Sequence, residues 1–260
     1  MFRYFRTLRL FWSAAIGAEM EYRINFTLAA LNSIGGLAGG IFALDLFYRN
    51  GAQLGNWSWE QALVVFGLFT LLNGVSLSFL NPNLNRIVEY VHQGTLDFVL
   101  LKPIDSQFWL SLRNASPWGV PDMVFGLGVI TYAGLKMGVG AGAYLVGIVP
   151  VLLAVIVLYS LWFIFASLSI WYVKVWNATE VLRSLLDAGR FPVTAFPMAV
   201  RIFFTVIVPV AFLTTVPAEL MMGQAGAKWL AIEAAIAIGL FLFTRLFWKF
   251  ALRYYTSASS

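Results

Sequence analysis

Long, nearly charge-free stretches alternate along the chain with shorter segments in which Arg, Lys, Asp and Glu gather. A helix that crosses a bilayer needs about 20 mostly apolar residues. Six stretches qualify: residues 24–48, 62–80, 118–135, 143–173, 202–216 and 229–248. The first lies between Arg23 and Arg49, and the third is rich in glycine. The fourth falls in the charge-free run between Lys136 and Lys174, where Pro150 is expected to kink or start it. The fifth carries Pro209 and is expected to be short or bent, since neighbouring groups in a bundle can satisfy the carbonyl that proline frees. The pattern predicts an all-α integral membrane protein with one transmembrane domain over residues 24–260.

Residues 1–23 form a separate element. Arg3, Arg6 and Arg9 recur every three residues, while Phe2, Phe5, Leu8 and Trp12 fall on the neighbouring face. That spacing describes a basic amphipathic helix lying in the membrane interface, and it also fits a plain basic anchor. The apolar run before Glu19, Glu21 and Arg23 is too short for the core of a cleaved signal peptide.

Composition narrows the class. The chain of 260 residues is 60% hydrophobic and 11% charged, with a mean hydropathy of +0.81. A soluble domain carries roughly 25% charge, so most of this surface faces lipid. Cysteine is absent, which excludes disulfides, thiol catalysis and thiolate metal sites. The net charge of +5 reports orientation. With the termini on one side, fourteen basic residues fall there against Arg49, Lys136 and Lys228 opposite. The excess of basic residues marks the cytoplasmic side, so both termini are expected to be cytoplasmic. Spread over several segments beside lipid, these residues do not make a nucleic-acid surface.

Span one contains Gly35, Gly36, Gly39 and Gly40, two overlapping small-xxx-small pairs that allow close helix approach. They form either a seam between two protomers or packing within the bundle. The loop at 81–116 is long for a connector. It holds a helical stretch Arg86–Gln93 that includes Glu89, then Gly94-Thr95-Leu96-Asp97-Phe98-Val99-Leu100-Leu101-Lys102-Pro103. Gly94 suits a helix C-cap and Pro103 halts the next helical stretch, which brackets a short apolar element suited to docking or to lying half-sunk in the interface.

The segment Lys174–Arg201 is read as a second loop on the same side. Its Glu180/Arg183 and Asp187/Arg190 are spaced to pair. The prolines at 192 and 197 prevent a regular helix there, and Pro217–Ala227 reads as a re-entrant or interfacial piece at the outer side. Asp45, Asp122, Glu219 and Glu233 sit nearer span ends than span centres and read as structural. The lone His92 reads as a surface residue, with no second His or Cys to complete a metal site. No Gly-x-x-x-x-Gly-Lys-[Ser/Thr] phosphate loop and no Ser–His–Asp set is present, so neither ATP hydrolysis by that route nor hydrolase chemistry is expected of this chain.

These features together resemble the permease subunit of a bacterial type-2 ATP-binding-cassette (ABC) exporter of six spans. The stretch Gly94–Pro103 is similar to that subfamily's Gly-x-Leu-Asp-x-x-Leu-Leu-[Lys/Arg]-Pro. Phe191-Pro192, Phe196-Pro197, Val208-Pro209-Val210-Ala211-Phe212 and Val216-Pro217-Ala218 resemble its proline pattern. The resemblance implies a bacterial inner-membrane protein that binds no cofactor itself and docks a separate ATPase carrying ATP and magnesium. It places the coupling contact at Arg86, Glu89, Gly94, Leu96, Asp97, Leu100, Leu101, Lys102 and Pro103. A smaller contact is implied at about 177–190, including Glu180 and Arg183. Pro209, Phe212 and Pro217 fall on the path or its outer gate, and a second permease, identical or different, completes the transporter. The alternatives are a secondary transporter or channel, which needs intramembrane acids or an inverted repeat, a lipid-processing membrane enzyme, and a scaffold. An aromatic-rich, charge-poor bundle suits an amphiphilic substrate.

Overall fold

The computed structural model describes residues 2–21, 23–51, 54–172 and 176–256, with side chains described there except at 2–7, 23 and 176–179. Val173 and Lys174 lie outside the described residues, as do the side chains of Phe2, Arg3, Phe5, Arg6, Arg23 and Asn177. The described residues form twelve α-helices with short 3₁₀ and π segments and no strand. Helix α1 (Phe2–Met20) precedes α2 (Arg23–Arg49). Trp12 of α1 donates to the Leu112 carbonyl at 2.8 Å, so its indole anchors α1 to the rest of the protein.

Helix α3 (Trp59–Val75) starts three residues ahead of the expected span because Ser58 and Gln61 close a capping box. It runs through a π segment (Ser76–Leu80) directly into α4 (Asn81–His92), making one rod of 34 residues. The break expected at Asn81-Pro82 does not occur. Pro82 brings no N–H to the Ser78 carbonyl one turn back, and the Ser116 N–H fills that acceptor at 2.9 Å. Asn83 reinforces the join, accepting from the Asn114 N–H at 2.8 Å and donating to its carbonyl at 2.7 Å.

Short helices α5 (Asp97–Leu100) and α6 (Ser106–Leu112) lead to α7 (Val120–Lys136), and α8 (Ala141–Ser167) continues unbroken past Pro150. Helices α3 and α7 meet across glycines seven residues apart on each side, Gly67 and Gly74 against Gly119 and Gly126. A Cβ on Gly126 would come within 2.5 Å of the Leu71 nitrogen and 2.7 Å of the Gly67 carbonyl oxygen. The sequence reading singled out the glycines of span one, as a seam between subunits or as packing within the bundle. There Gly35, Gly36 and Gly39 face open space within this chain, and only Gly40 meets a neighbour, the Phe66 ring.

The fifth pass is the main correction. Residues after α9 (Trp176–Leu186) do not stay in a loop at the basic end. Arg183 at that end donates to Asn81 (3.1 Å), yet Thr194 accepts from the Trp57 indole at 2.7 Å, beside the start of α3. Asn81 and Trp59 stand roughly 33 Å apart on the rod at 1.5 Å per residue, so the segment 183–194 traverses the bundle. The expected fifth span, 202–216, is a bent pair instead. Helix α10 (Met198–Ile202) and its π extension to Ile207 meet Val210–Met221, which includes α11 (Thr215–Met221), at 71°. One limb starts beside Thr194, and the other ends with Met221 against Gly147 near the start of α8. Both limbs open at the same end, so the pair is a re-entrant hairpin. Its bend lies at Val208-Pro209, where Val208 is extended and proline supplies no donor. Helix α12 (Ala227–Ala251) returns to the basic end.

Candidate functional site

At the basic end a small arm is built on the rod. Leu84, Ile87 and Val88 bury one face of α4, leaving Arg86, Glu89 and His92 exposed. Gly94 ends the helix with φ +66°, the left-handed backbone glycine adopts without strain. Its N–H bonds the Val91 carbonyl and the Thr95 N–H bonds that of Tyr90, the paired closure that reverses the chain. Leu96 (0% exposed) and Val99 (2%) then hold α5 on the bundle, while Phe98 (69%) and Leu101 (81%) project from it, with Leu100 half-exposed beside them. Leu96, expected among the contact residues, offers no surface and acts as a support. Phe98, not singled out in the sequence reading, belongs to the projecting patch. The signal available was its place two residues after Leu96 and three before Leu101 on a short helix.

The arm is braced from behind. The Lys102 ammonium and the Arg113 guanidinium lie over the Trp109 ring at 4.8 and 4.5 Å. Asp105 caps α6 through the Phe108 N–H (2.9 Å) and takes two bonds from Arg245 of α12, at 2.7 and 2.5 Å. The Arg245 guanidinium holds the Asp105 carboxyl below its ordinary range. Trp248 adds an indole bond to the Ser106 hydroxyl at 3.0 Å. The C-terminal helix therefore grips the base of the arm, a partnership between residues 140 apart that no local motif announces.

At mid-depth a crevice of about 40 Å³ opens between α3, α8 and the fifth pass. That is room for a few waters at most. Phe69, Asn73, Trp162, Arg183, Asp187 and Thr214 are among its walls. Asp187 and Arg190 pair at 3.1 Å, as their spacing predicts, and Arg190 stacks over Phe69 at 5.0 Å. Glu180 and Arg183 also pair, at 3.6 Å, with Arg183 over the Trp162 ring. The pairing of these charges with each other and with aromatic faces allows a polar segment to run through the bundle. Asn73 turns its amide to Asp122 at 2.7 Å, and Ser33 donates to the other carboxylate oxygen, a clamp tying α2, α3 and α7. Asp122 is thus structural, as read. Glu233 in α12 is fully buried with neither carboxylate oxygen hydrogen-bonded, deeper than its sequence position suggested.

The hairpin forms the far wall of the crevice. Thr214 donates to the Gly189 carbonyl at 2.9 Å and Thr215 accepts from the Val193 N–H at 2.9 Å, stitching the hairpin to the fifth pass. Pro209, Phe212 and Pro217 are all buried on it, and the Phe212 ring approaches Trp229 at 6.5 Å. Among the described residues no group of three His, Asp or Glu gathers as a metal site.

Comparison with known proteins adds one finding. Residues 34–259 match the family described as ABC-2 family transporter protein. No curated protein and no solved structure matches the chain.

Proposed function

The chain belongs to the ABC-2 transporter family as a multi-pass membrane permease component, and from that premise we propose that it is driven by a separate cytoplasmic ATPase docking on the arm around α5. The observation that carries this reading is the exposed pair Phe98 and Leu101, projected from a short helix that Leu96 and Val99 hold on the bundle. Arg86, Glu89, Asp97, Leu100, Lys102 and Pro103 belong, in this reading, to the same contact, with Glu180 and Arg183 on α9 as a second, smaller one. In this reading the basic end, with both termini, faces the cytoplasm of a bacterial inner membrane.

ATP and magnesium act on the partner. When ATP closes the ATPase dimer, the arm is displaced and the rod α3–α4 carries the motion to the crevice, whose walls and hairpin open it toward the outer side. Coupling requires the partner to bind the two arrangements with different affinity. A second permease completes the path, and the open face at Gly35, Gly36 and Gly39 supports close approach of another helix. Pro209, Phe212 and Pro217 serve as the outer closure. The family assignment disfavours a channel or a lipid-processing enzyme.

Solubilising the intact complex from native membranes and identifying its soluble components tests the reading. A phosphate-loop ATPase is expected to co-purify. Transport by the chain alone, with no such subunit, would overturn it.

A further inference from the structure

We propose that the cleft between the re-entrant hairpin and helices α8 and α12 holds an acyl chain of a bilayer phospholipid from the leaflet on Lys228's side. The cleft has a volume of about 580 Å³ and shares no lining residue with the crevice. Leu161 of α8, Val206, Ile207 and Pro209 of the hairpin, and Ile236 and Leu240 of α12 supply its walls. The hydroxyl of Thr205, which also lines it, is already spent on the Arg201 carbonyl at 2.7 Å. Buried water needs two to four polar partners, and a dry cavity of about 150 Å³ lined by Leu, Ile and Phe takes a benzene-sized apolar molecule. This larger apolar space does not suit water.

What lies outside identifies the occupant. Val206 (73% exposed) and Ile207 (68%) form the rim, and Leu242 and Phe243 are exposed on α12 just below the cleft. At this depth the surroundings are hydrocarbon. The α12 wall runs from Trp229 to Leu240, roughly 16 Å at 1.5 Å per residue, which equals about half of a hydrocarbon core of about 30 Å. One leaflet's chain fits that length. Lys228, the residue before the lining Trp229, is exposed and takes part in no ion pair among the described residues, a cation available to a lipid phosphate. A Cβ at Gly239 would meet nothing within 4 Å, so the floor has space to spare. The chain wedges the hairpin from behind, setting how far Pro209 and Phe212 can retreat. This inference goes beyond the transporter reading and does not depend on the ATPase.

The full-length chain is placed in nanodiscs of palmitoyl-oleoyl phosphatidylglycerol doped with a phospholipid carrying a diazirine midway along one acyl chain. After photolysis, labelled residues are mapped by mass spectrometry. Label is expected at Val206, Ile207 and Leu240 as well as at the outward-facing Leu242 and Phe243. Gly239→Phe fills the floor and is expected to lower cleft labelling about tenfold, or about 1.4 kcal/mol, while labelling at Leu242 and Phe243 stays unchanged. Leu240→Trp gives the same loss if Gly239→Phe fails to insert. Lys228→Gln is expected to reduce cleft labelling about twofold, the scale of an exposed ion pair. Unchanged cleft labelling in both filled variants overturns the proposal. So does a disulfide-linked dimer through Ile207→Cys in this cysteine-free chain, because a second copy would then cover the cleft.

Discussion

Replacing Phe98 and Leu101 by serine removes the apolar surface of the arm while leaving Leu96 and Val99 to hold α5 in place. Complete burial of a Phe or Leu side chain contributes about 1.5–3 kcal/mol. With 69% and 81% of these residues exposed, a partner that covers them gains about 1–2 kcal/mol from each. At about 1.4 kcal/mol per factor of ten, each single variant should weaken the partner's binding roughly 5- to 30-fold. The double variant should weaken it roughly 30- to 1000-fold. The assay is titration of the co-purifying ATPase subunit onto membranes containing the chain, followed by ultracentrifugation. Leu135→Ser is the control, because Leu135 is 70% exposed but closes α7 at the opposite end, and it should leave binding untouched. Binding by the double variant within about twofold of the parent, in protein that elutes as a folded species, would refute the assignment of the arm.

Three further outcomes follow from the same coordinates. Gly126→Ala forces Cβ against the backbone of α3 and should destabilise the solubilised protein by about 1–3 kcal/mol. Gly128→Ala on the same helix meets open space and should be neutral or stabilising by up to about 1 kcal/mol; thermal unfolding that ranks them equally would show slack between α3 and α7. The depressed Asp105 carboxyl makes its pair with Arg245 available above the unfolded value near 3.9, to be lost only as pH falls through the lower folded value. Stability should therefore be insensitive to this pair from about pH 5 to 8. Asp105→Asn, which keeps a capping side chain, should cost less than Asp105→Ala, the solvent-screened ion pair accounting for no more than about 1 kcal/mol. With cysteines placed singly, Met198→Cys should react with an impermeant maleimide from the same face as Gly51→Cys, and from the face opposite Leu101→Cys. Reaction of Met198→Cys from the Leu101 face would remove the re-entrant hairpin.

Five of the expected spans were legible because each carries its own apolar length, and the one containing α8 is the most apolar. The arm was legible for the same kind of reason: Gly94 and Pro103 are local signals that act on the backbone beside them. The fifth pass was not, because hydropathy weighs Arg183, Asp187 and Arg190 as if each stood alone in solvent. In the folded chain Asp187 neutralises Arg190, and the Phe69 and Trp162 rings face Arg190 and Arg183. The apolar stretch at 202–216 was correspondingly overrated, since it bends back at Pro209 before it can cross. The glycine seam inside the chain was not legible, because glycine spacing says that close approach is possible without naming the partner. Gly35, Gly36 and Gly39 of span one remain uncovered within the chain, whereas the four that interlock lie on α3 and on α7 with the turn that starts it, separated by the whole arm.

The joint at Pro82 limits what kind of movement the arm can deliver. A stretch of π-helix in the middle of a long rod would ordinarily be the place to flex. Here Ser116 and Asn114 are sewn across it, and above them the glycines press two backbones together. The elbow is splinted to its neighbour. Under the proposed coupling, a push at the tip is not absorbed by bending and swings α3, α4 and α7 as one slab, which puts the hinge at the slab's borders and not inside it.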